Sequence, residues 1–343
     1  MKVQKALAAL LCALLCLTGC VGQGEADGNP PSLQNSGQKE TETDSVSEPG
    51  HTEGPYDVQT SIETVKNDAV FGEYGRLLFP VDNGYMSGNT LGELQFTWYS
   101  YMDSDKTVEI VNTLWHRASA GETIFYDIYT EEEKAADPAK KDTGLFFFRG
   151  GFGEKFAVCS AGGGFAYVGA MHDSFPHALE LSKQGYNAFA LIYRPGAQTA
   201  CEDLARAISF IFENAEELKV NTDCYSLWGG SAGARMAAWL GSYGPAAFGG
   251  DDLPQPGAVI MQYTGHNDYT ENDPPTYACV GDRDGIANWR VMQARLEAMQ
   301  QAGIDTEFHV YSGLGHGFGL GTGTSAEGWI NDAVSFWEQQ MKK

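Results

Sequence analysis

Cys224-Tyr225-Ser226-Leu227-Trp228-Gly229-Gly230-Ser231-Ala232-Gly233-Ala234-Arg235-Met236-Ala237-Ala238-Trp239-Leu240 is the stretch on which the reading of this chain turns. Its first five residues are apolar and aromatic in the manner of a strand, and its last seven are strong helix formers. Between them stands G-x-S-x-G. In a chain with 42 glycines the pentapeptide alone would arise by chance about 0.3 times. Its weight comes from the flanks, because a strand, a sharp turn and a helix together lift a serine Oγ above a sheet edge. The glycines relieve the crowding of such a turn, and the helix start aims its free N–H groups at the same point.

Outward from this stretch, short β-branched and aromatic runs recur at 123–130, 144–148, 155–160, 187–193, 224–228, 258–263, 276–280 and 307–311, giving eight expected strands. Helical patterns separate the later ones, the clearest being Leu204, Ile208, Ile211, Phe212, Ala215 and Leu218 on one stripe. Others run through Trp289, Met292, Leu296 and Met299, and through Trp329, Ile330, Ala333, Val334 and Trp337. Near-continuous apolar strands such as Ala188-Phe189-Ala190-Leu191-Ile192 suit a sheet covered on both faces. The expected fold class is α/β, with a mostly parallel eight-stranded sheet, helices on both faces and an N-terminal extension.

The third strand runs into Ser160-Ala161-Gly162-Gly163-Gly164-Phe165. Consecutive glycines let backbone N–H groups approach a substrate oxygen unobstructed, as stabilising a tetrahedral oxyanion requires. The expected donors are the N–H groups of Gly163 or Gly164 and of Ala232. A serine nucleophile also needs a histidine base and a carboxylate to orient it. His316, in Gly313-Leu314-Gly315-His316-Gly317 after the last strand, fits the chain order serine, acid, histidine. His172 and His177 precede the serine, His309 lies inside a strand, His51 and His116 lie upstream, and His266 is a loop residue. For the acid, Gly281-Asp282-Arg283-Asp284-Gly285 offers two carboxylates. Asp284, deeper in the loop, is preferred to Asp282. A calcium site is disfavoured, since the following residues lack further acids; no metal or other cofactor is expected.

From about Thr123 to the C-terminus the chain resembles the serine esterases of the α/β-hydrolase superfamily. The likeness is greatest to bacterial acetylxylan-esterase-like and feruloyl-esterase-like carbohydrate esterases. It rests on Ala157 to Phe165, Gly185 to Arg194, Gly230-Ser231-Ala232-Gly233, Gly281 to Asp284 and Gly315-His316-Gly317, in that order; Ala161 stands where relatives often carry a proline. The resemblance implies the α/β-hydrolase fold, a Ser231-Asp284-His316 triad and a carboxylic-ester substrate, with short-chain or carbohydrate esters preferred. A serine peptidase of the same fold and a non-catalytic surface-binding lipoprotein are the alternatives.

The N-terminus reads as an address. Lys2 and Lys5 precede an apolar run from Ala6 to Leu17 that ends in Leu17-Thr18-Gly19-Cys20, resembling a bacterial lipobox with Cys20 as the acylated residue. Residues 1–19 are expected to be a lipoprotein signal peptide. Residues 20–61, rich in Gly, Pro, Ser, Thr, Gln and acid, are expected to be a tether reaching about 35 Å from an extracytoplasmic membrane surface. Residues 62–122 form an aromatic-rich extension, expected to add edge strands to the sheet or else to cap a pocket, and 123–343 the catalytic domain. With 22 Lys+Arg against 45 Asp+Glu, the net charge of −23 repels phosphate polyanions, so nucleic acid is excluded as a partner. Partners are therefore a small ester and, through Cys20, a membrane. Cys159, Cys201, Cys224 and Cys279 form no metal-binding pattern and read as small buried hydrophobes, with a disulfide left open.

Overall fold

The computed structural model describes residues 54–81 and 84–343; the leader, Cys20 and most of the expected tether lie outside them. All eight expected strands join one sheet: β1 (Phe125–Tyr126), β2 (Gly144–Phe148), β3 (Lys155–Ser160), β4 (Asn187–Ile192), β5 (Asn221–Gly230), β6 (Ala258–Gln262), β7 (Thr276–Gly281) and β8 (Thr306–Tyr311). Their order is β8-β7-β6-β5-β3-β4-β2-β1. Strands β3 to β8 are parallel, and β2 runs against β4 and β1. Strands β2, β4, β6 and β7 are buried along their whole length, as a sheet covered on both sides demands.

The helices that matter here are α1 (Ser104–Ser119), α2 (Phe175–Lys183), α3 (Ala197–Glu213), α4 (Ala232–Tyr243), α5 (Trp289–Gln301) and α6 (Trp329–Gln340). Helix α2 packs on β3 and β4, α4 on β5 and β6, and α5 on β7 and β8. The α3 stripe buries Leu204, Ile208 and Ile211. It ends at Glu213, and Leu218 belongs to a separate short helical turn, Ala215–Leu218. Register aligns the strand ends: Ser160 pairs with Gly229, and Gly230 with Gln262. The loops that follow β3, β5, β6, β7 and β8 therefore leave one carboxyl-terminal edge, where open α/β sheets hold their ligands.

Three expectations need correction. The extension adds no edge strands to the sheet. Among its described residues the only strands, Met86–Ser87 and Gln95–Phe96, pair with each other, and its main element is α1. The physical reason is periodicity: Thr107, Val108, Ile110, Val111 and Leu114 make a helical face, and Asp103 caps it by accepting the Lys106 N–H at 2.9 Å. The described structure also includes part of the expected tether. Tyr56 is buried, its N–H donates to Asn112 Oδ1 at 3.1 Å and its hydroxyl to Asp68 at 2.8 Å, so one aromatic ring outweighs the polar composition around it. Finally, β1 covers two residues rather than 123–130, since it is an edge strand whose one neighbour is β2. The four described cysteines are free thiols, and Cys159, Cys201 and Cys279 are buried.

Candidate active site

Ser231 occupies the single residue between β5 and α4, at φ 52° and ψ −112°. A side chain other than glycine rarely adopts this conformation, and such strain persists only where the surroundings over-determine it. Here the Ser231 N–H donates to the Gln262 carbonyl at 2.9 Å, tying the turn to the end of β6. Close approach of α4 to the sheet does the rest. A Cβ on Gly233 would stand 2.0 Å from the Ser160 carbonyl oxygen, so the turn closes only with glycine there.

His316 Nε2 lies 3.0 Å from Ser231 Oγ, and His316 Nδ1 lies 2.8 Å from Asp284 Oδ2. The side chains of Asp284 and His316 are 0% and 7% exposed. The other oxygen of Asp284 accepts the N–H groups of Ile286 and Ala287 at 2.8 and 2.7 Å, which fixes the carboxylate. Asp282 is exposed and turned elsewhere: it accepts from Gly313 N–H and Ser312 Oγ, bracing the loop that carries the histidine. The structure thus brings together Ser231, His316 and Asp284 from three loops and leaves Asp282 outside. With Nδ1–H donated to Asp284, Nε2 is free to accept the serine proton.

The glycine loop passes beside the serine. A Cβ on Gly162 would lie 2.9 Å from Ser231 Cβ. Among the described residues, the N–H groups of Gly163, Gly164 and Ala232 have no acceptor, while that of Gly162 donates to Asp173 Oδ2 at 2.8 Å. Gly163 and Gly164 have φ values of 127° and 62°.

Two groups to which the sequence reading gives no role underlie this arrangement. Asp173 is fully buried and accepts from the Gly162 N–H, from the Tyr99 hydroxyl at 2.8 Å and from the Tyr263 hydroxyl. Burial, reinforced by that carboxylate, pushes both phenols well above their ordinary pKa, so both are neutral donors. The same two rings flank the histidine, Tyr263 edge-on at 5.1 Å and Tyr99 stacked at 6.4 Å. Asp173 therefore links the glycine loop to the walls around His316. His172 is the other prop: its Nε2 lies 2.7 Å from the Gly317 carbonyl oxygen. Burial lowers its pKa, and the neutral ring donates there.

The extension contributes directly. Trp98 (φ 75°) lies on the glycine loop, 2.8 Å from where a Gly164 Cβ would be, stacks on Tyr167 at 5.7 Å and is 46% exposed. The Tyr101 hydroxyl accepts the Gly315 N–H at 3.3 Å, next to the histidine. A cavity of about 330 Å³ opens beside the histidine loop, lined in part by Tyr101, Met171, His172, Phe318 and Thr322. Among the described residues no cluster of His, Cys, Asp and Glu is arranged to hold a metal ion.

Comparison with known proteins agrees with this architecture. A family model described as BD-FAE matches residues 154–252, the span from the end of the β2–β3 loop to beyond α4. A sugar hydrolase from Lactococcus lactis superposes with a TM-score of 0.50 at 20% identity, over 58% of this chain and 95% of that one. An acetyl ester-xyloside bifunctional hydrolase from Caldicellulosiruptor lactoaceticus gives 0.53 at 18% identity, over 63% and 95%. No curated protein sequence matches the chain. The chain has the α/β-hydrolase fold.

Proposed function

We propose that this protein is a serine carboxylic-ester hydrolase acting on short-chain or carbohydrate esters outside the cytoplasm, anchored to the bacterial membrane through a lipid on Cys20. The observation that carries the reading is the unbroken relay from Ser231 Oγ through His316 to a fully buried Asp284, at the sheet edge where ligands bind. Ser231 attacks the ester carbonyl while His316 Nε2 takes its proton, and Asp284 stabilises the imidazolium. Negative charge developing on the carbonyl oxygen meets the unengaged N–H groups of Ala232 and of Gly163 or Gly164. Collapse expels the alcohol, which receives the proton from His316. Water, activated by the same base, then releases the acid from the acyl-serine.

The BD-FAE match and the hydrolase neighbours favour an ester over a peptide bond. One feature favours a sugar in the alcohol part: the half-exposed Trp98 ring beside the glycine loop, a surface on which a pyranose stacks. Acetylated xylosides and hexoses are the first natural esters to try. The decisive comparison is between the full-length protein and Ser231→Ala on p-nitrophenyl acetate and butyrate. Turnover should fall by roughly 10⁴–10⁶-fold with the circular dichroism spectrum unchanged. Equal activity in the two proteins, or none in a folded native protein, sinks the reading.

A further inference from the structure

Arg235 follows Ser231 by one helical turn and its N–H bonds the Ser231 carbonyl at 3.3 Å. Helical side chains lean toward the N-terminus, so its guanidinium extends toward the end of α4 that holds the nucleophile. Nη2 lies 3.6 Å from where a Cβ would stand on Gly265, in the loop that follows β6. One turn further along α4, Trp239 stacks on Phe165 of the glycine loop at 6.1 Å and meets His266 edge-on at 5.8 Å. The arginine therefore lies against the loop after β6, whose strand end bonds the Ser231 N–H, and Trp239 one turn on bridges that loop to the glycine loop.

What sets this arginine apart is a guanidinium with no partner. The residue is half-buried, and among the described residues its guanidinium has neither an ion pair nor a hydrogen bond, although the chain holds 45 Asp+Glu. The other arginines withdrawn from solvent have partners: Arg194 pairs with Asp203 and Asp137, Arg295 with Asp273, and Arg149, which has no ion pair, donates to the Leu218 carbonyl and lies over the Phe147 ring. Burial alone lowers the pKa of Arg235, so the protein holds an uncompensated cation at the site. Two more buried polar atoms in the adjoining loop, Thr264 Oγ1 and His266 Nε2, also lack partners. A planar fork of donors in a partly desolvated wall is the complement of a carboxylate. A single charge fits a monoanion.

We infer that Arg235 is the docking point for a carboxylate borne by the ester substrate. The inference rests on the esterase reading and narrows it to acidic esters. In a protein of net charge −23, which repels anions at a distance, such a contact supplies the local attraction.

Two matched pairs locate the carboxylate in the acyl or the alcohol part: mono-p-nitrophenyl adipate against p-nitrophenyl hexanoate, and acetylated galacturonic acid against acetylated galactose. The native full-length protein should favour the acidic member in one pair by kcat/KM. Arg235→Gln should cut that preference about 10–100-fold, the range for loss of a charge-assisted contact, and Arg235→Lys should restore only part of it. Rising ionic strength should weaken the native preference. A native protein that cleaves both pairs without preference for either acid overturns the inference, as does a folded Arg235→Gln that keeps the preference. If the native protein cleaves none of the four esters, the esterase reading itself fails.

Discussion

Asp282 and Asp284 stand two residues apart in one loop, yet only one points at the histidine. The direction is set by the N–H groups of Ile286 and Ala287, which grip one oxygen of Asp284 and leave the other for His316. Asp284→Asn should lower kcat about 10²–10⁴-fold by spoiling the tautomer of His316, with KM little changed. Asp282→Asn, which touches only the bracing contacts to Ser312 and Gly313, should cost less than tenfold; equal losses in steady-state assays would reverse the assignment. Ser231, His316 and the glycine loop were legible in the sequence because each needs an unusual local pattern. The choice between the two aspartates rests only on position in the loop, and a carboxylate's heading depends on which turn forms around it. Asp173 was not legible at all. Between His172 and Ser174 it reads as an ordinary helix-start acid, and its role depends on Tyr99 and Tyr263, which lie 74 and 90 residues away in the chain.

At the scale of elements, the strand–turn–helix around Ser231 is a packing problem solved by absence of side chains. Gly233→Ala would force its new methyl to within 2.0 Å of the Ser160 carbonyl, and either α4 or the end of β3 must shift. Stability should fall by about 1–3 kcal/mol in denaturant titration, and activity by more than the unfolded fraction explains, because β3 leads into the glycine loop. An alanine variant as stable and active as the native protein would refute this account. The sheet elements were readable from apolar runs bounded by turn residues. The extension was not, because its aromatic richness suits strands and cores alike. What decides there is the 3.6-residue spacing through α1 and the Asp103 cap, together with glycine and proline breaks that keep Met86–Ser87 and Gln95–Phe96 short.

Taken as a whole, the molecule buries His172, His177 and His266, and burial holds all three below the ordinary histidine pKa, His177 at about 4. Unfolding restores the ordinary value, so between about pH 6.5 and 4 the unfolded chain binds protons that the folded one excludes. Stability is therefore retained above pH ~6.5 and lost as pH falls, by up to about 1.4 kcal/mol per pH unit for each ring still neutral. Urea midpoints should drop from pH 7 to pH 5, and His177→Phe, which keeps a ring against Trp329, should flatten the slope; a midpoint constant over that range would contradict it. The bond from Tyr101 to Gly315 carries a different consequence, one of timing. It joins positions 214 residues apart, and His316 lies in the loop after the last strand of the sheet. A growing chain can complete the sheet's centre early, but Tyr101, Ser231 and His316 meet only when synthesis is nearly over. A chain ending before Gly315 lacks His316 and with it the contacts that join Ser231 to Asp284, however much of the sheet's centre it has formed.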